Sequence, residues 1–272
     1  MPETETVHPH RRSRALPALV LLLTLGACTP SAPATTGAPS LPPSAAPTGP
    51  PSTTDAEPVR VEMTAGDVTL EVSVPGAAVD DPHVHVTPDE QAGTATVTLE
   101  RSAVDDAEVP VALTLTSDGT FEPRADGSVT VRAGGTAVGG LSAPRGARLV
   151  AADGTHLEVR PLADDASGGA DDDVTTTLGT SAVERTDWGD REGGRSLAVV
   201  PTDWAREAGQ AGVDLAWAEL VAADPEVDTA TMHDQLECHA IGAPDKDSWN
   251  LEPWRPDVGL VATMAARCNP TS

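Results

Sequence analysis

Val68-Thr69-Leu70-Glu71-Val72-Ser73-Val74 places an apolar residue at every second position and a polar one between. Side chains alternate across a strand with period two, so this segment reads as a strand with one packed face and one wet face. The rule recurs at Ala95, Val97 and Leu99, which alternate with Thr94, Thr96 and Thr98, and again at Val109, Val111, Leu113 and Leu115. Asp118-Gly119, Asp126-Gly127 and Asp153-Gly154 are tight-turn dipeptides that favour hairpins. Roughly seven to ten short antiparallel strands over residues 59–162, with no helical stretch, predict a β-sandwich-like middle domain. Its core is built of Val, Leu and Ala, with Phe121 as the one aromatic.

Upstream, Arg11, Arg12 and Arg14 precede the apolar run Ala15 to Ala27. A basic segment followed by about a dozen apolar residues has the layout of a secretory signal peptide and is too short for a membrane span. The twin-arginine pattern fits poorly after Arg12. Leu25-Gly26-Ala27-Cys28 resembles a bacterial lipobox, which implies cleavage after residue 27 and acylation of Cys28. From Thr29 to Pro58, 25 of thirty residues are Pro, Ala, Ser or Thr. Such a composition buries too little apolar surface to order itself, so residues 28–58 read as a lipidated cysteine and a disordered tether. Residues 163–173 hold five Asp and two Gly and read as an acidic linker; their spacing does not match a calcium loop.

The 272-residue chain carries 42 acidic against 17 basic side chains, a formal charge of −25. That balance excludes binding to nucleic acid through phosphates, and docking on anionic lipid through a basic patch. The removed leader carries three Arg and two Glu, so the acidity belongs to the mature chain.

All five tryptophans, Trp188, Trp204, Trp217, Trp249 and Trp254, fall after the acidic linker. This composition shift marks a second domain over residues 174–272. Two strands are expected at its start, over 174–185 and 195–200. Val213, Trp217, Leu220 and Val221 form one helical stripe that Asp224-Pro225 ends. A second helix begins after Asp228 or Thr229, with Met232, Leu236 and Ala240 on one face. Residues 249–256 read as irregular and residues 260–265 as a last strand. With Cys28 acylated, Cys238 and Cys268 remain, and a disulfide between them is the simplest account in an oxidising compartment. Cys238 as a nucleophile beside His239 is poorly served, since adjacent helix residues point about 100° apart. The expected fold class is therefore mainly β plus α+β: a sandwich-like domain followed by a small disulfide-stapled α+β domain.

Ser248-Trp249-Asn250-Leu251-Glu252-Pro253-Trp254-Arg255-Pro256 is the most distinctive string. With Gln235-Leu236-Glu237-Cys238-His239-Ala240 before it and Arg267-Cys268-Asn269-Pro270 after it, residues 178–270 resemble an uncharacterised domain of actinobacterial secreted proteins and lipoproteins. The resemblance implies a fold family, an export habit and paired cysteines, and no activity. Two readings of the string stay open. Trp249, Trp254, Arg255, Glu252, Asn250 and His239 form a candidate binding surface for a glycan or peptide; alternatively, the rings fill an aromatic-poor core and Arg255 pairs with an acid.

His83 and His85 stand at i and i+2, a spacing that suits one metal ion, but no third ligand is identifiable. His156 is expected to face solvent. His233, Asp234, Glu237 and His239 fit no zinc spacing, and no hydrolase, P-loop or dinucleotide motif occurs. No metal, cofactor or catalytic residue is assigned. The sequence favours a non-catalytic interaction module, anchored through Cys28 to the outer face of the cytoplasmic membrane, with an envelope glycan or protein as partner. A cell-wall hydrolase or transferase, or a secreted effector, is the alternative.

Overall fold

The computed structural model describes residues 57–80, 82–162, 172–191 and 193–271. The leader, Cys28, the tether to residue 56 and residues 163–171 of the acidic linker lie outside them. Eleven strands and a short helix come first: β1 (Val59–Ala65), β2 (Val68–Val74), β3 (Val84–Asp89), β4 (Thr94–Leu99), α1 (Arg101–Asp105) and β5 (Val111–Leu115). They continue as β6 (Thr120–Pro123), β7 (Val129–Ala133), β8 (Thr136–Leu141), β9 (Ala147–Ala151), β10 (His156–Pro161) and β11 (Val174–Gly179). One sheet runs β1-β2-β5-β10-β9, the other β3-β4-β11-β8-β7-β6. Their inner faces share one core: Leu70, Val72, Leu113 and Leu157 from the first, Val97, Val131, Leu141 and Leu178 from the second. Phe121 is buried in it. The alternation read in residues 68–74 holds, with all four apolar residues of β2 buried and the three between them half-buried.

Three details differ from expectation. Residues 101–105 are helical. Val109 is exposed, because the strand begins only at Val111, after Pro110. Asp126-Gly127 and Asp153-Gly154 join paired strands, whereas Asp118-Gly119 carries the chain from one sheet to the other.

The chain then forms β12 (Val183–Arg191), β13 (Gly194–Pro201), helices α2 (Asp203–Glu207), α3 (Gln210–Ala223) and α4 (Ala230–Gly242), strand β14 (Trp249–Leu251) and helix α5 (Leu260–Ala265). The sheet order is β12-β13-β14. The expected first strand over 174–185 is split. Its front half, β11, pairs with β4 and β8 inside the sandwich. At the break, the Glu219 carboxylate of α3 accepts the Ala182 and Val183 N–H groups, both at 2.9 Å, where β12 begins. α4 starts where expected, with the Thr229 hydroxyl accepting from Met232 N–H. Residues 249–251 are a strand, and residues 260–265 are a helix with Thr263 as its one buried residue.

The sandwich and the C-terminal layer form one compact unit. Trp204 lies flat on Gly179, where a Cβ would come within 2.3 Å of the ring, and its indole N–H donates to Thr177 O. The start of α3 has no cap of its own. Instead Asp126 accepts from Gln210 N–H at 2.6 Å and Ser128 Oγ accepts from Ala211 N–H at 3.2 Å, both across the junction. Asp214 of α3 takes an ion pair from Arg124 and a hydrogen bond from Thr130. Burial of α3 on this side explains why its covered face is wider than one stripe, reaching Ala211, Leu215 and Ala216.

Candidate functional site

The string Trp249–Pro256 forms the edge strand β14 and the turn beyond it. Trp249 and Leu251 face the core between β13 and the helices, and the Trp249 indole N–H donates to Ala243 O at 3.1 Å. The outer edge of β14 would leave backbone groups unpaired, and α4 covers it with side chains one turn apart. Gln235 accepts from Glu252 N–H at 3.0 Å and donates to Glu252 O at 3.1 Å. His239 Nε2 donates to Asn250 O at 3.1 Å. A helix therefore does for this edge what a fourth strand would do.

Glu252 and Arg255, exposed by 1% and 6%, form an ion pair in the interior. Arg255 Nη1 also donates to Pro270 O at 3.3 Å, which ties the turn to the C-terminal segment. The guanidinium lies 4.5 Å over the Trp254 ring, and the pyrrole half of that indole packs on Gly194. A Cys238–Cys268 disulfide closes the same unit. Ser196 Oγ, Asn250 Oδ1 and Glu252 Oε1 have no hydrogen-bond partner. The register Ala198↔Asn250 sets the Ser196 and Asn250 side chains on the sheet face away from the core, and all three oxygens are hidden from solvent.

Of the candidate surface, Trp249, Glu252, Arg255 and His239 are buried, Asn250 is half-buried, and Trp254 is 45% exposed. The lock accounts for these contacts; Trp254 is the one side chain of the set that is largely open to solvent. His233 meets Trp217 edge-on at 4.7 Å. The Asp234 carboxyl is pushed up by burial and by Asp257, against the pull of His233. Glu237 is half-buried on α4.

Elsewhere, His83 sits before β3 with φ +53° and bonds Glu100 at 2.7 Å, while His85 is exposed. The same-face spacing of a strand therefore never applies to them. His156 is exposed and bonds Asp153 at 2.8 Å. The Thr155 N–H, then His156, hold the Asp153 carboxyl down to about 2. Among the described residues no group of three or more His, Cys, Asp or Glu is placed to hold a metal ion, and no helix is long and apolar enough to cross a membrane. A cavity of about 300 Å³ opens between the Ala125-Asp126 turn, α2, α3 and Ile241. Its two charged walls are engaged: Asp126 caps α3, and Arg206 donates to Pro244 O and Lys246 O.

Nothing local in the sequence marks Asp126, Ser128, Arg124 and Asp214 as junction residues, since their partners lie eighty to ninety residues away. Sequence reading also missed the exposed apolar run Val258, Val261 and Met264, hidden by the strand assignment.

Fold and site define a β-sandwich carrying a disulfide-stapled α+β layer, with the distinctive string used to lock the latter. Residues 183–271 match the family described as "Protein of unknown function (DUF2599)". Uncharacterised proteins of Mycobacterium tuberculosis and Mycobacterium bovis are each 45% identical over 98 residues, covering 33% of this chain and 66% of theirs. An uncharacterised Mycobacterium leprae protein is 44% identical over 61 residues, 21% of this chain and 50% of its own. No solved structure matches.

Proposed function

We propose that the protein is a cell-envelope lipoprotein. In this reading residues 1–27 are its signal peptide, Cys28 carries its lipid, residues 29–58 are its tether, and the folded body is a non-catalytic interaction module. The module meets an envelope glycan or protein outside the cytoplasmic membrane. One observation carries the non-catalytic part: His239 and Arg255, the groups best suited to acid–base or electrophilic work, are buried in internal contacts with Asn250, Glu252 and Pro270. A hydrolase needs such groups at the wall of an open cleft, within reach of a substrate proton.

The anchor is tested by Cys28→Ala, which is expected to abolish labelling by a fatty-acid probe and to move the protein into the medium. Unchanged labelling overturns the lipoprotein reading. Incubation of the full chain with purified peptidoglycan is expected to release no soluble fragments. Release at a rate that follows enzyme concentration overturns the non-catalytic reading.

A further inference from the structure

Resting on the envelope reading above, we propose that Trp254, Val258, Val261 and Met264 form a membrane-contacting patch. The patch seats the folded body at the headgroup boundary of the bilayer to which Cys28 tethers it.

These four side chains are 45%, 43%, 83% and 40% exposed, and all lie within eleven residues. Val261 and Met264 stand three apart on α5 and face the same side. α5 is an unusual helix for a surface: it reads Leu-Val-Ala-Thr-Met-Ala, carries no charge, and buries only Thr263. Its apolar side chains would ordinarily turn inward, and the surrounding contacts prevent it. The Trp254 indole is held between Gly194 and the Arg255 guanidinium. Beyond α5, Arg267 and Cys268 take left-handed conformations, φ 56° and 66°. Cys268 N–H donates to Thr263 O, and its sulfur is bonded to Cys238 on α4.

The chemistry of the patch selects its occupant. A chain with 42 acidic side chains has none between Val258 and Thr271, where Arg267 is the single charge. α5 and the segment after it are therefore free of acids, and the exposed Asp257, between Trp254 and Val258, is an acid at the edge of the patch. A specific second copy would require about 1,000 Å² of complementary buried area, more than four partly exposed side chains supply. A bilayer boundary demands no shape complement. Trp suits its depth, and a few apolar side chains are sufficient when a lipid anchor is the second signal. The tether keeps the patch within reach, so even weak partitioning is populated. Contact is apolar rather than basic, in keeping with the overall charge.

The test uses the full chain carrying Cys28→Ser, which has no acyl group, and vesicles of phosphatidylcholine with a minor share of phosphatidylglycerol. The chain is expected to sediment with the vesicles, with little dependence on added salt. Val261→Glu combined with Met264→Glu is expected to weaken partitioning about tenfold or more. Val79→Glu, at a site 92% exposed on the sandwich, is expected to change nothing. Absence of sedimentation overturns the proposal, as does sedimentation unchanged by the paired substitution. Concentration-dependent dimerisation lost in that pair overturns it in favour of a second copy. Fatty-acid labelling of the unsubstituted chain in cells reads the anchor separately, so either reading can fail without the other.

Discussion

Glu252 and Arg255 are where residue type misleads most. Charged side chains beside Pro253 and Pro256 read as surface, because Glu and Arg are almost never fully buried unless paired. Here they are paired, and both backbone groups of Glu252 are taken by Gln235. Pairing across a turn that the two prolines stiffen is not visible to a periodicity argument, so the sequence left both readings of the string open. The geometry has an energetic consequence. Arg255→Met strands a carboxylate that is 1% exposed, and loss of one partner of a buried pair costs about 3–5 kcal/mol. The double substitution Glu252→Gln with Arg255→Met removes the orphaned charge and is expected to recover most of that loss. Urea unfolding of the three chains measures it; a cost below about 1 kcal/mol for Arg255→Met contradicts a buried pair.

At the scale of elements, legibility followed burial. β2, β4 and β5 alternate because one face of each meets the core, and the stripe of α3 and the Thr229 cap of α4 are local signals of the same kind. α5 was misread as a strand because Leu-Val-Ala-Thr-Met-Ala has β-branched residues and no period tied to a core. It owes its place to contacts distant in sequence, chiefly the Cys238–Cys268 link. A disulfide closing a thirty-residue separation is worth about 3–4 kcal/mol in the loop-entropy account. Cys268→Ser is therefore expected to lower stability by about that amount. Because α5 buries only Thr263, its amides are expected to exchange quickly in that variant while those of α3 stay protected. Hydrogen exchange resolved by segment checks this; equal protection of α5 in both chains means packing alone holds it.

For the whole molecule, the sequence suggested two domains joined by an acidic segment, and the composition shift after it is real. What composition could not carry is that β11 returns to the sandwich and that the helical layer docks on the β3-β4-β11-β8-β7-β6 sheet. The docking contacts pair single residues across the chain: Asp126 with Gln210, Ser128 with Ala211, Arg124 with Asp214. If both parts are one cooperative body, they unfold together. The tryptophans all lie in the C-terminal part and report on it by fluorescence, whereas far-ultraviolet circular dichroism is weighted by the sandwich strands. The two signals are expected to trace one transition at neutral pH. Asp214→Ala, which leaves Thr130 and Arg124 without their α3 partner, is expected to separate the curves, the C-terminal part melting first. Acid acts on the same junction. Burial pushes the Asp126 carboxyl up, but the hydrogen bonds from Ser128 and Gln210 outweigh it and hold the group below its ordinary value. A carboxylate with a depressed folded value stabilises above the unfolded value near 3.9 and loses that contribution as pH falls through the folded one. The curves should therefore coincide at neutral pH and part only below about pH 4, when Asp126 takes up a proton and α3 loses its cap. Asp126→Asn should weaken the junction at neutral pH by about 1 kcal/mol and flatten this acid dependence. Non-coincident curves in the unsubstituted chain at neutral pH would show two independent domains and dispose of the single body.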